Sequence, residues 1–269
     1  MTGFVAMPAT MGPWVGGEFD GAVCVLAGNP GPMTLDGTNT WLLDVDAESV
    51  VLVDPGPDDP AHLQAVRGAV GERWVRDIVL THGHLDHSAG ANLFAEAFGA
   101  AVRALDPQPG HERLAPGDVL EYPQAQVHVL STPGHTHDSV SLYLPAANAL
   151  LTGDTILGRG TTVVAHPDGR LAEYIDSLQR LRDLVSTRDV TAVWPGHGPA
   201  LPDAAAVIDA YLEHRQQRLA EVAAAVADLP PGPGLARAVV ERVYADVPQV
   251  LWPAAELSVR AQLEYLGHP

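Results

Sequence analysis

The chain has 269 residues, 46% of them hydrophobic, with 15 basic and 33 acidic side chains and a formal net charge of −18. All of its basic residues are arginine, so Schiff-base chemistry and a P-loop, which both require a lysine, are excluded. The acidic balance also disfavours non-specific binding to nucleic acids, because phosphate contacts need a surplus of Lys or Arg.

Hydropathy predicts no membrane span, since no run reaches the roughly 18 consecutive apolar residues that a span needs. The first 17 residues contain no basic side chain and so lack the charged start of a secretory signal. We therefore expect a cytoplasmic protein. The single cysteine, Cys24, stands in an apolar run and is interpreted as a buried core residue.

Strands and helices alternate along the first 200 residues, which indicates an α/β fold. Hydrophobic periodicity and turn residues predict strands at 22–27, 39–45, 50–54, 77–80, 127–130, 140–144, 149–151 and 192–194. The same patterns predict helices at 59–71, 88–98 and 171–185. The polar clusters all stand where a strand ends, so we expect loops at one edge of the sheet to carry the chemistry.

The remainder of the chain has a different, Ala-rich composition that predicts helices only. These helices are expected at 204–228, 235–245 and 253–266. A break rich in proline and glycine separates the first of them from the second. We predict a catalytic domain over residues 1–202 and a small helical domain over residues 203–269.

Four potential metal ligands lie within six residues directly after one predicted strand: His82, His84, Asp86 and His87. In a tight turn, alternate side chains can aim at one point while their neighbours aim at a second. Zinc takes imidazole nitrogens and carboxylate oxygens at about 2.0–2.2 Å. This cluster therefore predicts a site that can hold two metal ions.

Three further candidate ligands follow other predicted strands. His135 and His197 each come directly after a glycine, which permits backbone angles that turn a side chain back over the sheet edge. Asp154 ends another strand. A carboxylate between two metals binds through both oxygens and holds the ions about 3.5–4 Å apart. We interpret Asp154 as this bridging ligand.

With these motifs the sequence resembles the metallo-β-lactamase superfamily over roughly residues 20 to 200. The resemblance implies an αββα sandwich with metals at one edge. It also implies a division of the ligands: His82, His84 and His135 bind one zinc, Asp86, His87 and His197 bind the other, and Asp154 is shared. Asp54 matches the first motif of the superfamily, where the acid orients a ligand histidine.

The chemistry expected of such a site is hydrolysis by a metal-bridging hydroxide. Two zinc ions lower the pKa of a bound water enough to make hydroxide at neutral pH, and they stabilise the oxyanion that forms. The predicted catalytic residues are Asp86 and Asp54. The predicted cofactors are two zinc ions, with manganese or iron as alternatives.

Two segments outside the ligand motifs indicate a branch of the superfamily. Residues 29–41 resemble the N-terminal signature of the beta-lactamase-like-protein-2 type, which includes an endoribonuclease acting on single-stranded RNA. Residues 243–266 resemble its winged-helix-like C-terminal domain, with the β-wing missing or very short. This favours a phosphodiesterase of the endoribonuclease type. Antibiotic hydrolysis is disfavoured, since the commonest β-lactamases use a cysteine in the second zinc site and Cys24 lies far from it.

Alternatives for function stay open at this point. The glyoxalase II type of thioester hydrolase also carries a helical C-terminal region, although there the region supplies basic residues. A binding protein that has kept the fold is a third possibility, which the complete ligand set argues against. The predicted substrate is therefore a single-stranded RNA or a small-molecule ester or thioester, and a homodimer is a further open prediction.

Substrate-side residues are predicted from position alone. Thr161 and Thr162 follow the Asp154 strand and offer hydroxyl groups to a substrate. His137 lies two residues beyond a candidate ligand and can transfer protons. The glycine- and proline-rich loop at 28–37 is either a flap over the metals or an ordinary connection.

Overall fold

The computed structural model describes residues 13–268. Most of the N-terminal segment on which the absence of a secretory signal was predicted lies outside the described residues. Within residues 13–268, no helix is both long enough and apolar enough to span a membrane.

Thirteen strands in the described part of the chain form two sheets. The first sheet holds, in spatial order, β1 (Gly16–Phe19), β2 (Ala22–Leu26), β3 (Asn39–Asp46), β4 (Ser49–Val53), β5 (Trp74–Val79), β6 (Ala101–Ala104) and β7 (Glu112–Arg113). The second holds β13 (Leu201–Pro202), β12 (Ala192–Pro195), β11 (Ala149–Gly153), β10 (Val140–Leu144), β9 (Gln126–Ser131) and β8 (Val119–Glu121). Pairing is parallel between β4 and β5 and between β11 and β12.

The described residues form seven α-helices: α1 (Pro60–Val70), α2 (Leu85–Ser88), α3 (Ala91–Phe98), α4 (Leu171–Thr187), α5 (Ala204–Ala227), α6 (Leu235–Val243) and α7 (Trp252–Tyr265). The outer face of the first sheet is covered by α1 and α3, and that of the second sheet by α4 and α5. One apolar cluster fills the space between the sheets, a second lies between the first sheet and α1 and α3, and a third lies between the second sheet and α4 and α5. This is the predicted αββα sandwich, which is confirmed.

The core between the sheets is centred on aromatic side chains. Trp41 of β3 stacks on Trp194 of β12 with ring centroids 5.0 Å apart and the planes 8° from parallel. Phe19 packs against both rings. Cys24 is buried in the same cluster, as predicted. This packing joins the two sheets close to the edge at which β12 ends.

A fourth apolar cluster belongs to the last three helices. It contains Val222 of α5, Val239 of α6 and Val259 of α7, all fully buried. Only helical elements occur from residue 203 to residue 268, so no β-wing is present in that range. The domain division predicted at residue 202 stays a prediction, because α5 packs against both the second sheet and this fourth cluster.

Candidate metal centre

The candidate ligands all follow the carboxyl ends of strands. The segment after β5 carries His82 and His84 and then runs into the short helix α2, which contains Asp86 and His87. The loops after β9, β11 and β12 supply the other three, His135, Asp154 and His197. All seven predicted ligands are brought together at this edge.

Three of the histidines form one group. The Nδ1 atom of His84 lies 3.1 Å from Nε2 of His82 and 3.0 Å from Nε2 of His135. His82 and His135 are buried, whereas His84 is exposed to solvent. The three nitrogens meet the spacing expected of side chains that share one metal ion.

A second group forms around His87 and His197, both fully buried. Their Nε2 atoms are 3.1 Å apart, and Oδ2 of Asp86 lies 3.1 Å from the His197 atom. The Asp86 side chain is only partly buried. This group faces solvent through its carboxylate and is closed behind by its two imidazoles.

Asp154 lies between the two groups. Its Oδ2 is 3.7 Å from Nε2 of His135 and 3.4 Å from Nε2 of His197. Its Oδ1 is 3.4 Å from Nε2 of His87, and this buried oxygen has no hydrogen-bond partner. A buried carboxylate oxygen without a donor is costly, so the position fits a bridging metal ligand.

The outward nitrogens of four histidines are all engaged by oxygen acceptors. The Nδ1 atoms pair with Thr81 Oγ1 for His82 (3.0 Å), Asp54 Oδ2 for His87 (2.8 Å), Val163 O for His135 (2.8 Å) and Gly37 O for His197 (3.0 Å). In the neutral imidazole one nitrogen donates and the other accepts. In the neutral form of each of these rings, Nδ1 therefore carries the proton and Nε2 presents a lone pair to the centre.

In the neutral rings of His87 and His197, the two Nε2 lone pairs face one another at 3.1 Å and repel unless a cation lies between them. The outward hydrogen bonds fix the tautomer and ring orientation that a metal-bound histidine needs. The donor set of imidazole nitrogens and carboxylate oxygens is the one that zinc prefers. The residues present thus fit a metal centre, and the cluster is able to bind metal.

The carboxylates in and around the second group favour a positive charge between the side chains of that group. Burial opposes protonation of His87, but the carboxylates of Asp154 and Asp54 outweigh it and raise the pKa of His87 well above its ordinary value. Burial likewise opposes ionisation of Asp154, yet His87 and His197 hold its pKa well below the usual range. The pKa of His197 is raised to about 9, because Asp154 and Asp86 outweigh its burial.

Two histidines of the first group, His82 and His135, have pKa shifts in the opposite direction. Burial and the neighbouring imidazoles lower the pKa of His82 well below its ordinary value. Burial also lowers the pKa of His135, with the Asp154 carboxylate acting against it. The lowered pKa values favour the neutral rings of His82 and His135 near pH 7, and neutral imidazole is the form that coordinates a metal.

Asp54 is the carboxylate behind the second group. Its Oδ1 accepts from the Thr81 amide at 2.8 Å, and its Oδ2 accepts from the Thr81 hydroxyl at 2.7 Å and from Nδ1 of His87 at 2.8 Å. The residue has a φ of +53°, a conformation that Asp and Asn tolerate better than most residues. Both oxygens are therefore fully used in holding His87 and Thr81.

Glycine is needed at both positions that precede a ligand histidine, but for different physical reasons. Gly134 has a φ of +132°, and a Cβ there would lie 2.3 Å from the Cα of Tyr174. Gly196 has an ordinary φ, so the predicted need for special backbone angles is wrong at this position. A Cβ on Gly196 would lie 2.6 Å from Oδ1 of Asp154 and 2.7 Å from Cε1 of His87. Glycine is needed at position 196 because there is no space for a Cβ atom.

The predicted substrate residues differ in accessibility. Thr162 is buried, and its hydroxyl donates to the carbonyl oxygens of Asp154 and Thr155 at 2.8 and 3.2 Å. The Thr162 hydroxyl is therefore buried and used within the protein, so it is not available to a substrate in this structure. Thr161 is partly exposed. Nδ1 of the exposed His137 is 2.8 Å from Oδ1 of Asp168, and this contact is the main cause that raises its pKa.

Sequence reasoning missed the residues that fasten β3 to the site. The side-chain amide of Asn39 donates to the carbonyl oxygens of Pro195 and Gly198, which flank the loop that carries His197. The indole of Trp41 donates to Pro195 as well. Both residues belong to the N-terminal signature noted above, which was the available signal for this role.

Family models match most of the chain. The model described as Metallo-beta-lactamase superfamily matches residues 33–114 and 106–197. The chain belongs to the metallo-β-lactamase superfamily. A second model, described as Beta-lactamase associated winged helix domain, matches residues 236–267. Members of this superfamily are metal-dependent hydrolases, and the chain is an enzyme of that class.

Similar proteins support the predicted branch. A Beta-lactamase-like protein 2 homolog from Caenorhabditis elegans is 34% identical over 259 residues, which are 92% of this chain and 84% of the relative. An Atrochrysone carboxyl ACP thioesterase from Aspergillus fumigatus is 34% identical over 214 residues, 77% of this chain and 65% of that relative. The superfamily and the branch predicted from the sequence are both confirmed.

Solved structures of the superfamily share the fold. A Beta-lactamase domain protein from Burkholderia ambifaria aligns with a TM-score of 0.81 at 22% identity, covering 96% of this chain and 90% of that one. The alignment extends beyond the sandwich, since it includes most of the C-terminal helices. At this identity the likeness supports the fold alone.

Proposed function

We propose that this protein is a dinuclear metal-dependent hydrolase. One ion would be held by His82, His84 and His135 and the other by Asp86, His87 and His197, with Asp154 shared between them. The observation that carries the proposal is the hydrogen bonding of the histidines, because the outward nitrogens of four of them are satisfied and their Nε2 lone pairs converge. The proposed metal is zinc, with manganese or iron as alternatives.

A pair of bound divalent metals supplies a hydroxide nucleophile at neutral pH and stabilises negative charge on the attacked centre. The protein's own groups keep the site in order. Asp54 holds the His87 ring, and the Val163 and Gly37 carbonyls hold His135 and His197. Asp86 is partly exposed and is the proposed catalytic carboxylate at the mouth of the site.

The proposed substrate is a phosphodiester in single-stranded RNA. Support comes from the similarity to beta-lactamase-like protein 2 homologs across both the sandwich and the C-terminal helices, since the branch includes an enzyme of that specificity. Thr161 and His137 stay predicted substrate contacts. The cytoplasmic location and the homodimer also stay predictions.

A thioester is the second candidate substrate, and the side chains around the site favour it. Leu85, between two proposed ligands, is 74% exposed, and Met33 in the loop before β3 is 51% exposed. Arg159 is paired with Asp36, and Arg170 with Glu264. Exposed apolar groups and neutralised arginines suit an acyl group better than a polyanion. One similar protein is named as an ACP thioesterase.

A side-by-side assay separates the two candidates. Zinc-loaded protein would be incubated with a single-stranded RNA and with S-lactoylglutathione, beside Asp86→Ala and His87→Ala variants. We expect RNA cleavage that both substitutions reduce at least about tenfold. RNA left intact by the wild type, or cut equally by the variants, would end the nuclease proposal, and thioester hydrolysis with the same sensitivity would establish the second candidate.

A further inference from the structure

A buried arginine links the C-terminal helices to the catalytic sandwich. Arg215 of α5 is only 5% exposed, and its Nε is buried without a hydrogen-bond partner. None of the ion pairs found within residues 13–268 includes it. Its guanidinium lies over the Tyr174 ring of α4, 4.8 Å from the centroid. Burying a charge without an acidic partner is costly, so this arginine requires a specific explanation.

A hydrogen bond of Arg215 goes to a segment that serves the metal centre. Its Nη2 donates to the carbonyl oxygen of Thr162 at 2.5 Å. The Thr162 hydroxyl in turn donates to the carbonyl oxygen of Asp154 at 2.8 Å. The next carbonyl along the chain, that of Val163, accepts from Nδ1 of His135 at 2.8 Å. A single dipeptide thus contacts the arginine, the proposed bridging ligand and a proposed ligand histidine.

We infer that Arg215 is a positioning residue for the metal centre. Because peptide groups are planar, only the two backbone dihedrals of Val163 separate the Thr162 carbonyl from the Val163 carbonyl. Holding the Thr162 carbonyl therefore restrains the direction of the Val163 carbonyl. That carbonyl sets the tautomer and ring orientation of His135. The inference rests on the proposed function, because it takes His135 to be a metal ligand.

Further contacts join the C-terminal helices to the segment of the catalytic sandwich that follows Asp154. Besides Arg215, α5 supplies Tyr211, whose hydroxyl accepts from the Leu157 amide at 2.8 Å. The carbonyl of Leu257 in α7 accepts from the His166 amide at 3.3 Å. The stretch between Asp154 and α4 is therefore fastened to the C-terminal helices at several points, and the Arg215 contact lies next to a proposed ligand.

The test compares three variants of the full chain. Arg215→Met keeps most of the aliphatic stem and removes every donor, and Arg215→Lys keeps a donor and the charge. Val222→Ala is the matched control, because Val222 is fully buried on the same helix but belongs to the separate cluster of the last three helices. Zinc affinity is measured by competition with a chromophoric chelator. Imidazole NMR then reports the His135 Nδ1 proton in zinc-loaded protein.

We expect Arg215→Met to weaken binding of one zinc ion about tenfold and to shift or broaden the His135 Nδ1 proton signal. Arg215→Lys should recover part of both losses, and Val222→Ala should lower the unfolding temperature with wild-type zinc affinity. Equal zinc affinity and an unchanged His135 signal in Arg215→Met would overturn the inference, as would an equal loss of affinity in Val222→Ala. Wild type that binds no zinc, manganese or iron would instead overturn the proposed function.

Discussion

Asp54 is the residue on which the orientation of His87 depends most directly. Its oxygens accept three hydrogen bonds, two from Thr81 and one from His87. Asp54→Asn keeps the size of the side chain and tolerates the positive φ. However, its NH2 group replaces one carboxylate oxygen, so a hydrogen-bond donor would lie opposite the donors of Thr81 or His87. We expect a stability loss of about 1–3 kcal/mol and a fall from two bound metals to about one, measured by elemental analysis and urea unfolding.

The matched control for this change is Asp77→Asn. Asp77 is also a buried carboxylate, which accepts from Arg103 at 2.6 Å and from the Tyr122 hydroxyl at 2.7 Å, in β5 and away from the histidines. We expect it to lose stability and keep both metals. Two bound metals in Asp54→Asn would contradict the proposal that Asp54 orients His87 for metal binding.

His62 provides a pH-dependent test outside the proposed ligands. It is buried on α1, its Nε2 lies 2.8 Å from the Thr40 hydroxyl, and burial lowers its pKa to about 4. Between pH 6.5 and 4 the unfolded chain takes up a proton that the folded chain refuses. The stability associated with the neutral, buried His62 is therefore fully present above pH 6.5 and is lost as pH falls toward 4.

The measurement is urea unfolding of metal-free protein at pH 7 and pH 5, for wild type and for His62→Gln, which keeps a donor for Thr40. We expect the wild type to lose about 2 kcal/mol more than the variant over this interval. An identical loss in both proteins would show that His62 does not titrate as its burial implies.

At the residue scale, the sequence was informative where the side chain itself carries the chemistry. The seven proposed ligands were predicted because His and Asp at strand ends form a recognisable pattern, and Asp54 was predicted from the resemblance to the first motif of the superfamily. The acceptors for His135 and His197 are the carbonyls of Val163 and Gly37. Every residue has such a carbonyl, so no residue type could have identified them.

At the element scale, the end of β12 comes so close to the site that only glycine fits. Gly196→Ala would bring a Cβ to 2.6 Å from Oδ1 of Asp154 and 2.7 Å from Cε1 of His87. Such contacts are well inside van der Waals distance, so the β12 loop or the ligands must move. We expect the variant to fold and to bind metal at least about tenfold more weakly, measured by chelator competition.

Gly68→Ala is the control for this prediction. Gly68 lies in α1, and a Cβ there would meet nothing within 4 Å. We expect unchanged metal binding and a gain in stability of about 0.4–1 kcal/mol, because alanine reduces the freedom of the unfolded chain. Wild-type metal affinity in Gly196→Ala would contradict the close approach of the strand end.

The helix after the first ligand cluster shows how far element prediction reached. The pattern predicted one helix at 88–98, whereas the structure has α2 and α3 separated at Ala89 and Gly90. The amide of Gly90 donates to the carbonyl of Gly56, and a Cβ there would lie 2.8 Å from the Pro57 carbonyl. The break is imposed by a loop distant in sequence, which local periodicity cannot report.

Short strands at the sheet margins were also missed. Strands β1, β6, β7, β8 and β13 have two to four residues each. Runs of this length carry too few residues for an alternating pattern. Their pairing depends on neighbouring strands, so the sandwich and its central strands could be predicted while the margins could not.

At the scale of the whole molecule, fold class and branch followed from motifs spread along the chain. The aromatic core, the two sheets and the helical layers give a frame in which four strand ends meet at one edge. The substrate did not follow, because the surface charge disfavours a polyanion while the resemblance favours an RNA-cleaving branch. Arg159 and Arg170, each paired with a carboxylate, illustrate this conflict.

The most direct test of the dinuclear centre is the metal content of purified full-length protein after zinc loading and dialysis, measured by mass spectrometry beside an Asp154→Ala variant. We predict about two zinc ions per wild-type chain and at most about one in the variant, since Asp154 lies within 3.7 Å of histidines from both groups. A wild-type content near zero, or a content that the loss of Asp154 leaves unchanged, would contradict the proposal.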